Sequence, residues 1–189
     1  MFQCPNATQK ANFVKAVQRG DVTWHAGPMN MQIENMDKWL LEYGIQLGLD
    51  LDRKLNVTRK FRVLSQRDVP GMTQAIIPTL VKMGVSAVSV GVNSGTSPPA
   101  VPNPFIWQYT SPTDGKQYDV IGMWHKGGYP NNPGPNPKNP GGISIDDCTM
   151  VDGFDEALCF AFRTDNTGPP QSVQVIATTF LKPNSIEIH

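Results

Sequence analysis

Apolar positions along the chain alternate between two periods, and the alternation predicts helices and strands in turn. Ala11, Val14 and Ala16-Val17 recur at helical spacing between Thr8, a residue able to cap, and Gly20, a residue able to stop. A helix to about Arg19 is expected there. Val22 to His25 reads as a short strand ending at Ala26-Gly27-Pro28. Asn30 is then expected to cap a long helix carrying Ile33, Met36, Leu40, Leu41 and Ile45 on one side. A strand over Phe61 to Ser65 follows, and Pro70-Gly71 open a helix whose apolar face is Met72, Ile76, Leu80 and Met83. Pro78 lies inside that span, which predicts a kink or a late start.

Val85 to Val92 is an almost uninterrupted β-rich run, the mark of a strand buried on both faces in a parallel sheet. Tyr118 to Trp124 and Ala157 to Phe162 read as further strands. Pro169-Pro170 then open a helix to about Leu181, and Ser185 to Ile188 begin another strand. Strand, helix and strand thus succeed one another with connections long enough for parallel crossovers, which predicts an α/β fold. A closed (β/α) barrel and an open sheet share this pattern. No glycine-rich phosphate-binding fingerprint follows any strand, which counts against a nucleotide site.

Composition narrows the partners. Sixteen basic residues balance sixteen acidic ones, so nothing favours nucleic acid. A neutral substrate fits at least as well. Seventeen prolines and seventeen glycines are concentrated in two long loops, at about 93–116 and 126–154. Cys4, Cys148 and Cys159 form no C-x-x-C pair and read as ordinary thiols. No apolar run is long enough for a membrane span and no leader opens the chain as given, so no membrane partner is expected. Two glycosylation triplets, at Asn6 and Asn56, carry little weight without a leader.

The polar residues gather at one kind of position. The expected strands end in His25, Arg67-Asp68, Asn93-Ser94, His125 and Asp165-Asn166. In (β/α) barrels that end of the strands builds the active site. Asp68 stands directly before Val69-Pro70; its carboxylate suits a nucleophile, a base or a metal ligand, and equally a helix cap or a salt bridge to Arg67. Asp165 is either an acid/base carboxyl or the cap of the next helix. His125 suits a metal, a sugar hydroxyl or a purely structural bond. Trp24, Trp107, Trp124 and Tyr129 suit stacking on sugar rings or packing in the core. Two carboxylates on neighbouring strand ends are what glycosidic hydrolysis requires.

On these residues a family resemblance can be stated. Gly20-Asp21-Val22-Thr23-Trp24 through Met29-Asn30 to Met36-Asp37 resembles the strand end and helix start of glycoside hydrolase family 38, the α-mannosidases. Gln66-Arg67-Asp68-Val69-Pro70-Gly71, followed by Met83-Gly84-Val85, resembles that family's Asp-Pro-Phe-Gly-His-Ser segment. Phe160 to Asp165 resembles its Gly-Asp-Asp-Phe strand end. The likeness runs in order over most of the chain and is closest to a group related to family 38 that carries Gln-Arg-Asp-Val-Pro-Gly and Asp-Asn-Thr-Gly-Pro-Pro.

The resemblance implies a (β/α) barrel of the family 38 type, incomplete as given, and retaining, zinc-dependent hydrolysis of a carbohydrate substrate. Asp68 would be nucleophile and zinc ligand, and Asp165 the acid/base. Asn30, Arg67, His125 and Asn166 would meet the sugar. The chain departs from the pattern at Met31-Gln32, where the family has Asp-Glu, and at Met72-Thr73, where it has His-Ser. The family's His-x-Asp strand end and its later histidine ligand have no counterpart, so zinc would need ligands from elsewhere, and as a fragment the chain is expected to fold poorly or associate. Two other expectations stand beside the hydrolase: an inactive carbohydrate-binding relative, and an unrelated barrel enzyme such as an aldolase or metal-dependent hydrolase.

Overall fold

A computed structural model describes residues 4–68, 72–93, 95–97, 99–125, 149–153, 155 and 157–158. Helix α1 spans Ala7–Arg19 and starts earlier than Thr8 would allow, because Asn6 caps it. The Asn6 side chain accepts from the Gln9 backbone N–H while the Gln9 side chain accepts from the Asn6 N–H, both at 2.9 Å. Gly20 closes the helix in the left-handed region, as expected of a residue with no Cβ.

Helix α2 spans Lys38–Leu55. Its cap is Asp37, whose carboxylate accepts from the Leu40 N–H at 2.8 Å, and not Asn30. Between them Ile33–Asn35 make only a 3₁₀ turn. Asn30 bonds instead to the backbone of Arg67. Helix α3 spans Ile77–Lys82 after a 3₁₀ turn at Gln74–Ile76. Pro78 lies in the first turn, where its missing N–H costs nothing, so the late start is the outcome.

Strands β1 (Val63–Arg67), β2 (Ala87–Gly91), β3 (Phe105–Thr110) and β4 (Gln117–His125) form one sheet in the order β1-β2-β4-β3. β1, β2 and β4 are mutually parallel, and β3 runs antiparallel to β4 at the edge. The first long loop is therefore shorter than expected. Residues 105–110 are a strand, and a turn closed by the Ser111 N–H on the Lys116 carbonyl (2.8 Å) returns the chain into β4. Phe, Ile, Trp, Tyr and Thr are residues that favour strands, a signal outweighed by the prolines before them. The expected strand at Val22 to His25 does not form as such, although the Ala26 N–H still reaches the Val63 carbonyl at 2.8 Å. A second pairing joins Thr149–Met150 (β5) to Ala157–Leu158 (β6). The helix expected at 170–181 and the strand at 185–188 lie outside the described residues.

Register assigns the two faces of the sheet, since residues paired across strands share a face. Leu64, Val88 and Gly122 form one row, and Gln66, Val90 and Trp124 the next. This face carries the core, where Leu64, Val88, Val90, Val120 and Trp124 meet Leu41 and Ile45 of α2 and Ile77 and Leu80 of α3. Trp107 packs edge-on against Trp124 with ring centroids 5.1 Å apart, so both indoles belong to the core. The opposite face shows the row Val63, Ala87, Ile121 and Ile106, three of whose side chains are exposed. Among the described residues, the helices that meet the sheet lie on one side of it.

The far end of α2 holds a buried charge cluster. Asp52 is 2% exposed and accepts from Arg59 Nε at 3.0 Å and from Arg62. Arg59 also lies over the Trp24 ring, 4.3 Å from its centroid. This gives Trp24 a structural use.

Candidate functional site

The site is assembled where β1, β2 and β4 end together. Register aligns Arg67, Gly91 and His125 as the last row of the parallel strands. Asp68 and Asn93 are the polar residues just past the ends of β1 and β2. The Asp68 N–H still donates to the Gly91 carbonyl at 2.8 Å, which prolongs the pairing by one bond. The backbone then turns sharply, for Asp68 has φ 62°. A non-glycine residue in that region is uncommon, and such conformations gather at functional sites. Asn93 fixes the side chain by donating from Nδ2 to Asp68 Oδ1 at 2.8 Å. Asn93 is itself held by the Gly95 N–H, which donates to its Oδ1 at 2.9 Å. One carboxylate oxygen of the half-buried Asp68 is thereby oriented.

The remaining expected residues divide. Arg67 is buried at 7% exposure and turned into the protein, donating to the carbonyls of Gln66 (3.2 Å) and Ser89 (3.4 Å) and to Ser89 Oγ (3.2 Å). The Asp68 carboxylate is bonded instead by Asn93. Asn30 accepts from the Arg67 N–H at 2.9 Å and donates to the Arg67 carbonyl at 2.8 Å, imitating a neighbouring strand. Its amide thus holds the end of β1. His125 ends β4. Asp165, Asn166 and Tyr129 lie outside the described residues, so the separation of the two carboxylates is not on view.

His25 emerges as a further member of this neighbourhood. Its Nδ1 accepts from the Gly27 N–H at 3.2 Å and the Ser65 N–H at 3.3 Å. Burial lowers its pKa below the ordinary histidine value, and the nearby Arg67 guanidinium lowers it further. Accepting two N–H bonds at Nδ1 leaves Nε2 as the place for the proton of the neutral ring. Its position at a predicted strand end was legible; that its ring would bond backbone was not.

Zinc does not fit the described residues. Among them no group of three or more histidine, cysteine, aspartate or glutamate side chains could hold a metal ion. Asp68 offers one carboxylate, and the Nδ1 of His25 is occupied by two N–H donors.

The fold and site define an α/β domain whose parallel strands end in an ordered carboxylate. Comparison with family models, with curated proteins and with solved structures gives no match.

Proposed function

We propose that the chain belongs to the catalytic face of a glycoside hydrolase of the (β/α)-barrel type, α-mannosidase-like in substrate class. One observation carries the proposal: the carboxylate of Asp68 stands at a parallel strand end, on left-handed backbone, oriented by Asn93 from the next strand. Among the described residues the helices meet the parallel strands from one side, an arrangement compatible with a barrel. In this proposal Asp68 attacks the anomeric carbon while Asp165 protonates the departing oxygen, and Asp165 then activates the water that releases the sugar. Retention of configuration requires the two carboxyl groups to lie about 5 to 5.5 Å apart. In the same proposal His125 and Asn166 would supply hydrogen bonds to the sugar hydroxyls. Zinc enters only with ligands from outside the described residues.

A second possibility is favoured by the two departures from the family motif. Met31 and Met72 replace residues of polar chemistry, and both are buried in the apolar core, at 4% and 8% exposure. A domain that binds carbohydrate without cleaving it accounts for them. Hydrolysis of aryl glycosides with and without added zinc separates the two. The hydrolase predicts turnover that Asp68→Asn abolishes while the melting temperature holds. Sugar binding with no turnover in the intact protein establishes the binding domain instead.

A further inference from the structure

We propose that His25 is a proton-sensitive pin on the outer edge of β1, holding that edge when neutral and releasing it when protonated. The proposal stands apart from any hydrolase activity. An edge strand presents a row of backbone groups that must be satisfied or covered. Here no described strand lies beyond β1, and the segment from His25 to Asn30 does the work in pieces. The Val63 carbonyl accepts from the Ala26 N–H (2.8 Å), the Ser65 N–H donates to His25 Nδ1 (3.3 Å), and both backbone groups of Arg67 meet Asn30. Three of these bonds involve groups that do not titrate. The fourth does.

Nδ1 of His25 receives two N–H donors, from Ser65 and from Gly27. An imidazole nitrogen can accept only while it carries no proton. Protonation places a third N–H against those two, and both backbone donors lose their acceptor at once. Among the described residues, the surroundings add no compensating anion. From β1 the charged neighbour is Arg67, of the same sign as an imidazolium. The segment 27–31 brings Gly27, Pro28, Met29, Asn30 and Met31, none of which titrates. From α2, Gly48 packs beneath the backbone, where a Cβ would lie 4.0 Å from the His25 carbonyl oxygen. The α2 carboxylate one turn on, Asp52, is already bonded to Arg59 and Arg62. Acid therefore acts on the one titratable link in the edge among the described residues, two residues before the strand end that leads into Asp68.

The test begins with the imidazole nitrogens of the whole wild-type protein, followed by NMR from pH 8 to 4.5. Expected is an Nε2-protonated neutral ring that titrates below the ordinary histidine value. A proton on Nδ1, or titration at or above that value, overturns the proposal without any variant. Amide exchange then reads the consequence. Protection of Ser65 should fall roughly five- to ten-fold relative to Val90 as His25 titrates, the size of one lost hydrogen bond. His25→Asn places an amide oxygen close to where Nδ1 sits and cannot titrate, so Ser65 should stay protected across the range. Equal loss of protection in wild type and His25→Asn, or none in wild type, overturns it.

Discussion

Asp52→Asn removes one negative charge from the most deeply buried ion cluster described in the molecule. The Asp52 side chain is 3% exposed, and those of Arg59 and Arg62 are 13% and 11% exposed. Two guanidinium groups then remain in the interior with a neutral amide between them, which can still accept but no longer offsets their charge. Breaking a buried pair from one side costs about 3–5 kcal/mol. Each kcal/mol moves the midpoint of a chain this size by about 2–4 °C, so the melting temperature should fall by roughly 6–20 °C. Urea denaturation followed by circular dichroism checks this, with an unchanged slope showing that the same surface is exposed on unfolding.

Two controls sharpen the test. Asp50→Asn breaks an exposed pair with Arg53, with side chains 53% and 73% exposed, and should cost well under ~1 kcal/mol. The triple variant D52L/R59M/R62M removes all three charges and should recover part of the loss, because the desolvation cost disappears with the ions. High salt should screen the Asp50 pair and leave the Asp52 effect largely intact. A loss below ~1 kcal/mol in Asp52→Asn, or salt sensitivity equal to that of Asp50→Asn, would refute the claim that this cluster is held away from solvent.

Asn30→Ala strips both backbone bonds from Arg67 and should cost about 1–3 kcal/mol by chemical denaturation; a neutral result would mean water replaces the amide freely. In Gly122→Ala the new Cβ would lie 2.5 Å from Cζ of the Phe105 ring and 2.6 Å from Cε1. That should destabilise by about 1–3 kcal/mol, and Phe105→Leu in the same chain should relieve it. Asp68→Gly removes the left-handed strain, about 1 kcal/mol, and gives up the Asn93 bond. Net stability should then stay within about 1 kcal/mol of wild type while any glycoside turnover is lost. Finally, the depressed pKa of His25 gives stability a definite sign with pH. Below the unfolded value of ~6.5 the unfolded chain binds the proton first, so stability falls as pH drops from there towards the folded value. The His25→Asn variant should lack that component of the pH profile.

Hydrophobic spacing alone located α1, and β1 and β2 to within two residues, and Pro78 left a kink or a late start open for α3, of which the structure has the late start. It did so because burial imposes period on sequence: one face of a helix or both faces of a parallel strand must be apolar. It also located Asp68 at a strand end, since Val69-Pro70 mark the exit. Capping was harder to read. Thr8 and Asn30 are as able to cap as Asn6 and Asp37, and the winner depended on which side chain was nearest its own helix and had no better partner.

Tertiary structure alone decided those better partners. Asn30 was recruited by the backbone of Arg67, 37 residues away in sequence, and the Trp107 and Trp124 rings were drawn together by the pairing of β3 with β4. Arg67 and Asp68 look like equivalent polar neighbours in sequence, yet adjacent residues of a strand face opposite ways and a left-handed turn follows the first. One guanidinium was buried against Ser89, and the carboxylate beside it was handed to Asn93. Contacts between distant segments carry no periodic trace in the chain, which is why the positions of the polar groups were legible and their roles were not.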